Sequence, residues 1–240
     1  MNAPLARALH DQAAFSFSDQ GDDLVSAFKE DRSICGCANV HGVRRVVLTG
    51  GPGAGKTAVL ELVKQSFCSH VMVLPESAGI VFGGGFPRRP DLGSAQAAQR
   101  AIFYVQRELE FAAESQNPAV ILCDRGTVDG GAYWTGRPDM WTSLETTLPT
   151  QRARYAAVIH LRVPSGENGY NRSNPLRVES AEEAAKIDAR IAALWAGHPH
   201  LFSVKPEASF IDKAAHVLDV LREQVPECCR HHIVPVSELT

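Results

Sequence analysis

The sequence predicts an α/β fold in which a parallel, five-stranded sheet carries helices on both of its faces. Short apolar segments rich in β-branched residues recur along the chain, and segments with helical spacing of apolar residues separate them. The first apolar segment also runs directly into a cluster of glycines, which a further helical segment follows. Alternation of this kind predicts a parallel sheet, because the chain must cross a face of the sheet between neighbouring strands.

Five segments have the composition of buried strands. Valine, isoleucine and leucine dominate them, and these residues favour a pleated backbone that is covered on both sides. The predicted strands are residues 43–49, 70–74, 119–123, 155–163 and 200–204.

The predicted helices show buried faces through the spacing of their apolar residues. One helix has this spacing at Ala98, Ile102, Val105 and Leu109, and another has it at Ala184, Ile187, Ile191 and Leu194. Ser180 and Glu183 form a capping box that predicts where the second of these helices begins. A last helix is predicted after Ser209, and its expected buried residues are Ile211, Ala215, Leu218 and Leu221.

The length and composition fit one domain with additions at both ends. Of the 240 residues, 45% are hydrophobic and 21% are charged, which is ordinary for a globular protein with a sizeable core. We expect an N-terminal extension at residues 1–42, the main domain at 43–226 and a C-terminal tail at 227–240.

Charge and cysteine content argue against several classes of protein. With a net charge of −3, the protein lacks the excess of basic residues that is typical of nucleic-acid-binding proteins. Six cysteines in a chain of this length do not form the disulfide framework of a small secreted domain. No apolar run approaches the roughly 20 residues that span a bilayer. We therefore expect a cytoplasmic protein without a nucleic-acid partner or a membrane span, and either a monomer or a homodimer.

Residues 50–57, GGPGAGKT, match the phosphate-binding pattern G-x-x-x-x-G-K-[ST] between a predicted strand and a predicted helix. Glycines let consecutive backbone N–H groups converge on phosphate oxygens, and the helix N-terminus adds positive potential. Lys56 is expected to reach the β- and γ-phosphates, and Thr57 to supply a hydroxyl ligand to Mg²⁺. The predicted nucleotide-binding residues are Gly51, Pro52, Gly53, Ala54, Gly55, Lys56, Thr57 and Ala58. The predicted cofactors are Mg²⁺ and ATP, with GTP left open.

Two further predicted strands end in charged residues, and parallel strands bring their carboxyl ends to one edge of the sheet. Asp124 suits the water shell of Mg²⁺, and Arg125 suits phosphate charge; the alternative is an ion pair at the strand end. Glu76 suits a general base that accepts the proton of an attacking hydroxyl; the alternative is a helix cap or a surface acid. A hydrolytic motor is expected to carry a second carboxylate where Arg125 stands.

A second stripe on the helix near residue 100 predicts a wall for the phosphoryl acceptor. It consists of Gln96, Gln99, Phe103, Gln106 and Glu110, and the alternative is a solvated face. The glycine-rich loop at 83–90, which carries Arg88, is predicted to close over the acceptor. The predicted acceptor-binding residues are Arg88, Gln99, Phe103, Gln106 and Asp129, with Tyr133 and Trp134 as further candidates.

A polar stretch at residues 165–179 is predicted to be a lid. It carries Arg172 and Arg177, which would stabilise charge on the transferring phosphoryl group; the alternative is a solvated loop. Two Cys/His groups near the chain ends, at residues 35–41 and 228–232, invite a metal interpretation. Adjacent cysteines are not the usual spacing of structural zinc, and such a site requires the two ends to meet.

Several segments together resemble the AAA-like ATP-binding domain family of P-loop proteins, over residues 43–225. They are GGPGAGKT, LPESA, QRAIFYVQRELE, ILCDRGTVD and YNRSNPLRVES. More distantly, the order of these segments is similar to that of deoxynucleoside kinases. This resemblance implies that Glu76 is the base and that Asp124 and Arg125 serve metal and phosphate; Gly126 stands where those enzymes usually carry serine.

These patterns predict a P-loop NTPase of three-layer sandwich type, kinase-like with a lid. The favoured function is a small-molecule kinase that transfers the γ-phosphoryl group to a nucleoside-like or other small alcohol, with NTP hydrolysis less favoured. The alternative is a regulatory module that binds ATP or GTP and a lipid or protein partner with little turnover. Glu76 separates the two functions, because only the kinase needs a base.

Overall fold

The fold is described for residues 39–163, 180–205 and 209–232 of a computed structural model. The predicted lid arginines, Arg172 and Arg177, lie outside these residues, as do Cys35, Cys37 and most of the predicted N-terminal extension. Among the described residues, no helix has both the length and the apolar composition needed to cross a membrane.

Strands and helices alternate along the chain. The strands are β1 (Arg44–Thr49), β2 (Val71–Leu74), β3 (Val120–Asp124), β4 (Ala157–Leu161) and β5 (Leu201–Val204). The helices are α1 (Lys56–Ser66), α2 (Ser77–Gly83), α3 (Leu92–Glu114), α4 (Met140–Ser143), α5 (Leu148–Arg152), α6 (Ala181–Trp195) and α7 (Phe210–Gln224), with 3₁₀ helices at Asp129–Ala132 and Glu227–His232.

The strands form one parallel, five-stranded sheet in the order β2-β3-β1-β4-β5. The predicted α/β fold is therefore confirmed. β1 lies at the centre, and its Leu48 is in register with Asp124 of β3. The turns that follow β1, β2 and β3 consequently lie along one edge of the sheet, where parallel α/β proteins bind their ligands.

Apolar side chains cover both faces of the sheet. On one face, Val46 and Leu48 pack in a cluster with residues of α1 and α7. On the other face, Val47 and Ile121 pack in a cluster with residues of α3 and α6. Alternate residues of a strand point to opposite faces, so β1 contributes to both clusters and the architecture has three layers.

Two helices begin where their capping residues predict. Ser180 and Glu183 form both bonds of a capping box at α6, and Ser209 caps α7 in the same way with Asp212. The buried face of α7 differs from the prediction, because Ile211 lies in its first turn and is 67% exposed. The buried residues of α7 are Ala214, Val217, Leu218, Val220 and Leu221.

The face of α3 that is buried also differs from the prediction. Ala98 is buried, but Ile102, Val105 and Leu109 are only half-buried. The other buried residues of α3 are Phe103, Gln106, Glu110 and Ala113. The helix is covered on a second side, because Phe103 packs in a cluster with Met140 and Leu144.

The first part of the predicted C-terminal tail has regular structure. Glu227–His232 form a 3₁₀ helix, and Cys229 within it is fully buried against the cluster that α1 and α7 share. Apolar contacts therefore hold the first part of the predicted tail on the domain.

Candidate functional site

The glycine-rich loop between β1 and α1 wraps around the side chain of Lys56. Gly50, Gly53 and Gly55 have φ values of 145°, 85° and 92°, which favour glycine. A Cβ atom at Gly50 would also lie 2.2 Å from the carbonyl oxygen of Leu161. Lys56 is buried, and its Nζ donates to the carbonyl oxygens of Gly50 at 3.1 Å and Gly51 at 3.4 Å. The loop therefore holds a cation at its centre.

Lys56 is electrostatically poised for an anion. Burial lowers its pKa to about 8, and the neighbouring Arg125 acts in the same direction. Asp124 and Glu76 oppose this shift. A phosphate placed beside Lys56 would supply negative charge, which favours the protonated amine.

Arg125 connects the turns that follow three strands. Its Nε donates to Oε1 of Glu76 at 2.7 Å, and its Nη1 donates to the carbonyl oxygen of Gly50 at 3.0 Å. Its guanidinium also lies 5.8 Å from the ring centroid of Tyr133. Burial alone would raise the pKa of Glu76, but Arg125 and Lys56 outweigh it and hold that pKa below its ordinary value. Glu76 is therefore an ionised carboxylate at neutral pH.

Asp124 carries a buried carboxylate oxygen that lacks a partner. Among the described residues, no group forms a hydrogen bond with its Oδ1. Burial raises the pKa of Asp124 to about 6, Lys56 opposes the rise, and Glu76 adds to it. Thr57 is exposed and lies next to Lys56 in the first turn of α1. Both residues line one cavity, and a carboxylate oxygen without a partner and a hydroxyl are donors that suit Mg²⁺.

A cavity of about 350 Å³ joins this charged edge to the surface of α3. On the loop side it is lined by Pro52, Gly53, Lys56 and Thr57. Glu76, Asp124 and Arg125, at the carboxyl ends of β2 and β3, also line it. Gln99, Phe103 and Gln106 of α3 line the far wall together with Tyr133, and Arg88 lies at the rim. The structure thus brings the predicted phosphate, base and acceptor residues to one space.

Gln106 has hydrogen-bonding capacity within this cavity. It is 1% exposed; its Nε2 donates to Oε1 of Glu110 at 2.9 Å, while its Oε1 has no partner among the described residues. Arg88 lies over the ring of Phe82, with its guanidinium carbon 5.0 Å from the centroid. The far wall therefore offers an amide and aromatic surfaces, and a cation stands at its entrance.

Glu110 does not belong to the acceptor wall that its spacing predicted. Its carboxylate is buried and accepts from Tyr155 Oη at 2.8 Å and from Arg154. These partners come from the segment before β4, which the sequence spacing of α3 does not reveal. Glu110 fixes α3 against the sheet and keeps Gln106 in place.

Three other predicted residues, Asp129, Gln96 and Trp134, form hydrogen bonds within the protein. Both carboxylate oxygens of Asp129 accept bonds, one from Thr49 Oγ1 and one from the backbone N–H of Gly126 at 2.8 Å. Asp129 lines the cavity, but these bonds favour a positioning role. Gln96 donates to the carbonyl oxygen of Thr135, and the indole of Trp134 donates to that of Pro138.

Sequence reasoning missed Asp188, which supports the loop from α6. Its Oδ1 accepts from the backbone N–H of Gly51 at 3.0 Å and lies 2.7 Å from Nε2 of His160. Its Oδ2 lies 2.9 Å from Nε of Arg162. The signal was present, because an acidic residue four positions after Ala184 falls on the buried face of that helix.

The fold and the site define a P-loop protein of kinase-like architecture. The AAA domain family matches residues 45–213, so the chain belongs to that family. The structure of this chain is similar to two structures of deoxyadenosine kinase from M. mycoides. One has the products dCMP and a flexible dCDP bound, and the other has dATP bound. They are 14% and 16% identical, with TM-scores of 0.50 and 0.51; the similarity covers 75% and 74% of this chain and 99% and 98% of theirs. No curated protein sequence matches the chain.

Proposed function

We propose that the protein is a kinase that transfers the γ-phosphoryl group of Mg-ATP to a hydroxyl of a nucleoside-like or other small acceptor. The observation that carries this proposal is that one cavity of about 350 Å³ is lined by Lys56 of the phosphate loop, by Glu76 and by Gln106 of α3. Cavities of about 300–1,000 Å³ that combine apolar walls with a few convergent polar groups are typical of small-molecule sites.

The residues divide the work of phosphoryl transfer between them. The backbone of residues 51–58 and the amine of Lys56 bind the β- and γ-phosphates. The acceptor oxygen attacks the γ-phosphorus, the bond from that phosphorus to the β,γ-bridging oxygen breaks, and Glu76 receives the hydroxyl proton. Arg125 neutralises charge on the transferring group. Thr57 and Asp124 would hold Mg²⁺, which would further neutralise charge on the phosphate oxygens when bound.

The chemistry of the far wall supports a nucleoside-like acceptor. Phe103 and Tyr133 offer aromatic faces against which a planar ring stacks. The amides of Gln99 and Gln106 offer both donors and acceptors to the edge of such a ring. Arg88 would contact the acceptor, and the predicted lid arginines, Arg172 and Arg177, would stabilise charge on the transferring phosphoryl group. The deoxyadenosine kinases act on a molecule of this class, which agrees with the proposal.

A product assay tests this function. Purified protein is incubated with Mg²⁺ and either ATP or GTP against a panel of nucleosides, nicotinamide riboside and small alcohols, and phosphorylated product is followed by mass spectrometry. Lys56→Ala should abolish triphosphate binding in calorimetry. Lys64→Ala is its matched control, because Lys64 lies on the same helix and pairs with Glu61 on the surface. Tight nucleotide binding without any product would contradict the kinase function and support the alternative, a regulatory module.

A further inference from the structure

A group of sulfur and nitrogen atoms lies at the edge of the sheet opposite the phosphate loop. His41 precedes β1, His70 immediately precedes β2, and Cys229 lies in the 3₁₀ helix that follows α7. One ligand atom from each of these three residues lies within 4.8 Å of the other two. Segments that are distant in sequence therefore meet at one point.

The distances within this group match the edges of a tetrahedral metal site. Cys229 Sγ lies 3.5 Å from Nδ1 of His70 and 3.9 Å from Nε2 of His41. With zinc–sulfur and zinc–nitrogen bonds of about 2.3 and 2.05 Å, tetrahedral geometry places sulfur and nitrogen roughly 3.6 Å apart. The two imidazoles stand edge to face, with centroids 5.1 Å apart, so their rings do not block each other.

Two more thiols adjoin the three residues. Cys228 Sγ lies 3.6 Å from Nε2 of His41 and 4.0 Å from Cys229 Sγ, so it is near two of the three. Cys68 Sγ lies 3.8 Å from Nδ1 of His70. Tetrahedral zinc places two thiolate sulfurs roughly 3.8 Å apart, which fits the pair of adjacent cysteines. Cys228 is therefore the better fourth ligand.

We propose that His41, His70, Cys228 and Cys229 bind a structural Zn²⁺ ion. Cysteine and histidine are the ligands that zinc prefers. Cys229 is fully buried and Cys228 half-buried, which suits a closed structural site rather than one that admits substrate. The ion would join the beginnings of β1 and β2 to the end of the domain, and its binding free energy would stabilise the folded state. This inference does not depend on the proposed kinase activity.

Metal content tests the site in full-length protein from which any affinity tag has been removed. Elemental analysis should give about one zinc per chain, and Co²⁺ in place of zinc should give thiolate charge-transfer and tetrahedral ligand-field bands. Cys229→Ala and His70→Ala should each lose the metal. His216→Ala and Cys123→Ala are matched controls that should keep it, because His216 is exposed on α7 and Cys123 packs on the opposite face of the sheet.

Thermal unfolding with and without a chelator separates loss of metal from loss of fold. The chelator should lower the Tm of the wild type and of both controls, and leave the Tm of Cys229→Ala unchanged. Comparison of Cys228→Ala with Cys68→Ala tests the fourth ligand; zinc lost only from Cys68→Ala would overturn the assignment of Cys228. Wild type that binds neither zinc nor cobalt after reconstitution would overturn the site and leave a set of hydrogen-bonded thiols and imidazoles.

Discussion

The guanidinium of Arg125 and the carboxylate of Glu76 are joined by a hydrogen bond of 2.7 Å, although the two residues follow different strands. This bond couples the group proposed to bind phosphate to the group proposed to accept the proton. Arg125 also donates to the phosphate loop through the carbonyl oxygen of Gly50. A phosphate that draws Arg125 toward itself would therefore weaken its hold on Glu76 and make that carboxylate more basic.

The first prediction is that Glu76→Gln lowers turnover by roughly 10²- to 10⁴-fold and leaves ATP affinity nearly intact. Glutamine keeps an oxygen that accepts from Arg125 but cannot take the proton of the acceptor hydroxyl. The measurement is single-turnover product formation, with ATP affinity from calorimetry. Glu61→Gln is the matched control, because Glu61 is exposed and pairs only with Lys64 in the described structure. Unchanged turnover in Glu76→Gln would remove the base assignment.

The second prediction concerns Asp124 and pH. Burial raises the pKa of this group to about 6 in the folded protein, whereas its ordinary value is 3.8. Between these values the folded state binds more protons than the unfolded state, so this group makes stability fall as pH rises. Ligand-free wild type should therefore lose stability relative to Asp124→Asn from about pH 4 to about pH 6 and then stay level. Urea unfolding at a series of pH values measures the difference.

Asp139→Asn provides a control of opposite sign for this experiment. Hydrogen bonds from Thr142 and Trp141 hold the pKa of Asp139 below its ordinary value. A group of this kind contributes stability that is lost as pH falls through its folded pKa. The free energy of unfolding of wild type should therefore increase relative to that of Asp139→Asn as pH rises through the acidic range. If the stability of wild type instead increased relative to Asp124→Asn over the same range, Asp124 would not be a buried carboxyl with a raised pKa.

The third prediction is that Gly126→Ser destabilises the protein by about 1–3 kcal/mol. A Cβ atom at Gly126 would lie 2.9 Å from Cγ2 of Val47 and 3.1 Å from atoms of Trp195 and Tyr155. Deoxynucleoside kinases usually carry serine at the matching place, and the packing around Gly126 gives a physical reason for the difference. Urea unfolding measures the loss of stability.

A second substitution that removes the contact tests whether crowding causes this loss of stability. Val47→Ala removes the nearest methyl groups, so the cost of Gly126→Ser should be smaller in that background, as a double-mutant cycle would record. Gly83→Ser is the control, because nothing lies within 4 Å of a Cβ there. Additive effects of the substitutions at 47 and 126 would show that crowding against Val47 is not the cause.

Local signals carried most of what the sequence predicted correctly. The strands and the starts of α6 and α7 follow from short runs and capping residues, because neighbours in sequence determine them. The roles of Glu110 and Asp129 did not follow, because Arg154, Tyr155 and Thr49 reach them only after the layers pack. The proposed zinc ligands could not be grouped from the sequence for the same reason. His70 is distant in sequence from the other two segments and meets them only in the folded chain.

The last prediction is that Asp188→Ala weakens nucleotide binding although the site residues remain unchanged. Asp188 accepts from the backbone N–H of Gly51 and from His160, so alanine leaves both buried donors without their acceptor. An unsatisfied buried group costs about 1–3 kcal/mol, and here part of that cost falls on the phosphate loop. Calorimetry should therefore show weaker ATP binding, and urea unfolding should show lower stability.

Asp188→Asn separates the contribution of hydrogen bonding from that of charge. The amide oxygen of asparagine still accepts from Gly51, so this variant should bind ATP more tightly than Asp188→Ala does. Asp219→Ala is the matched control, because Asp219 is exposed on α7 and pairs with Arg222 in the adjacent turn. Wild-type affinity in Asp188→Ala would mean that the loop keeps its shape without support from α6, and that β1 and α1 alone position Gly51.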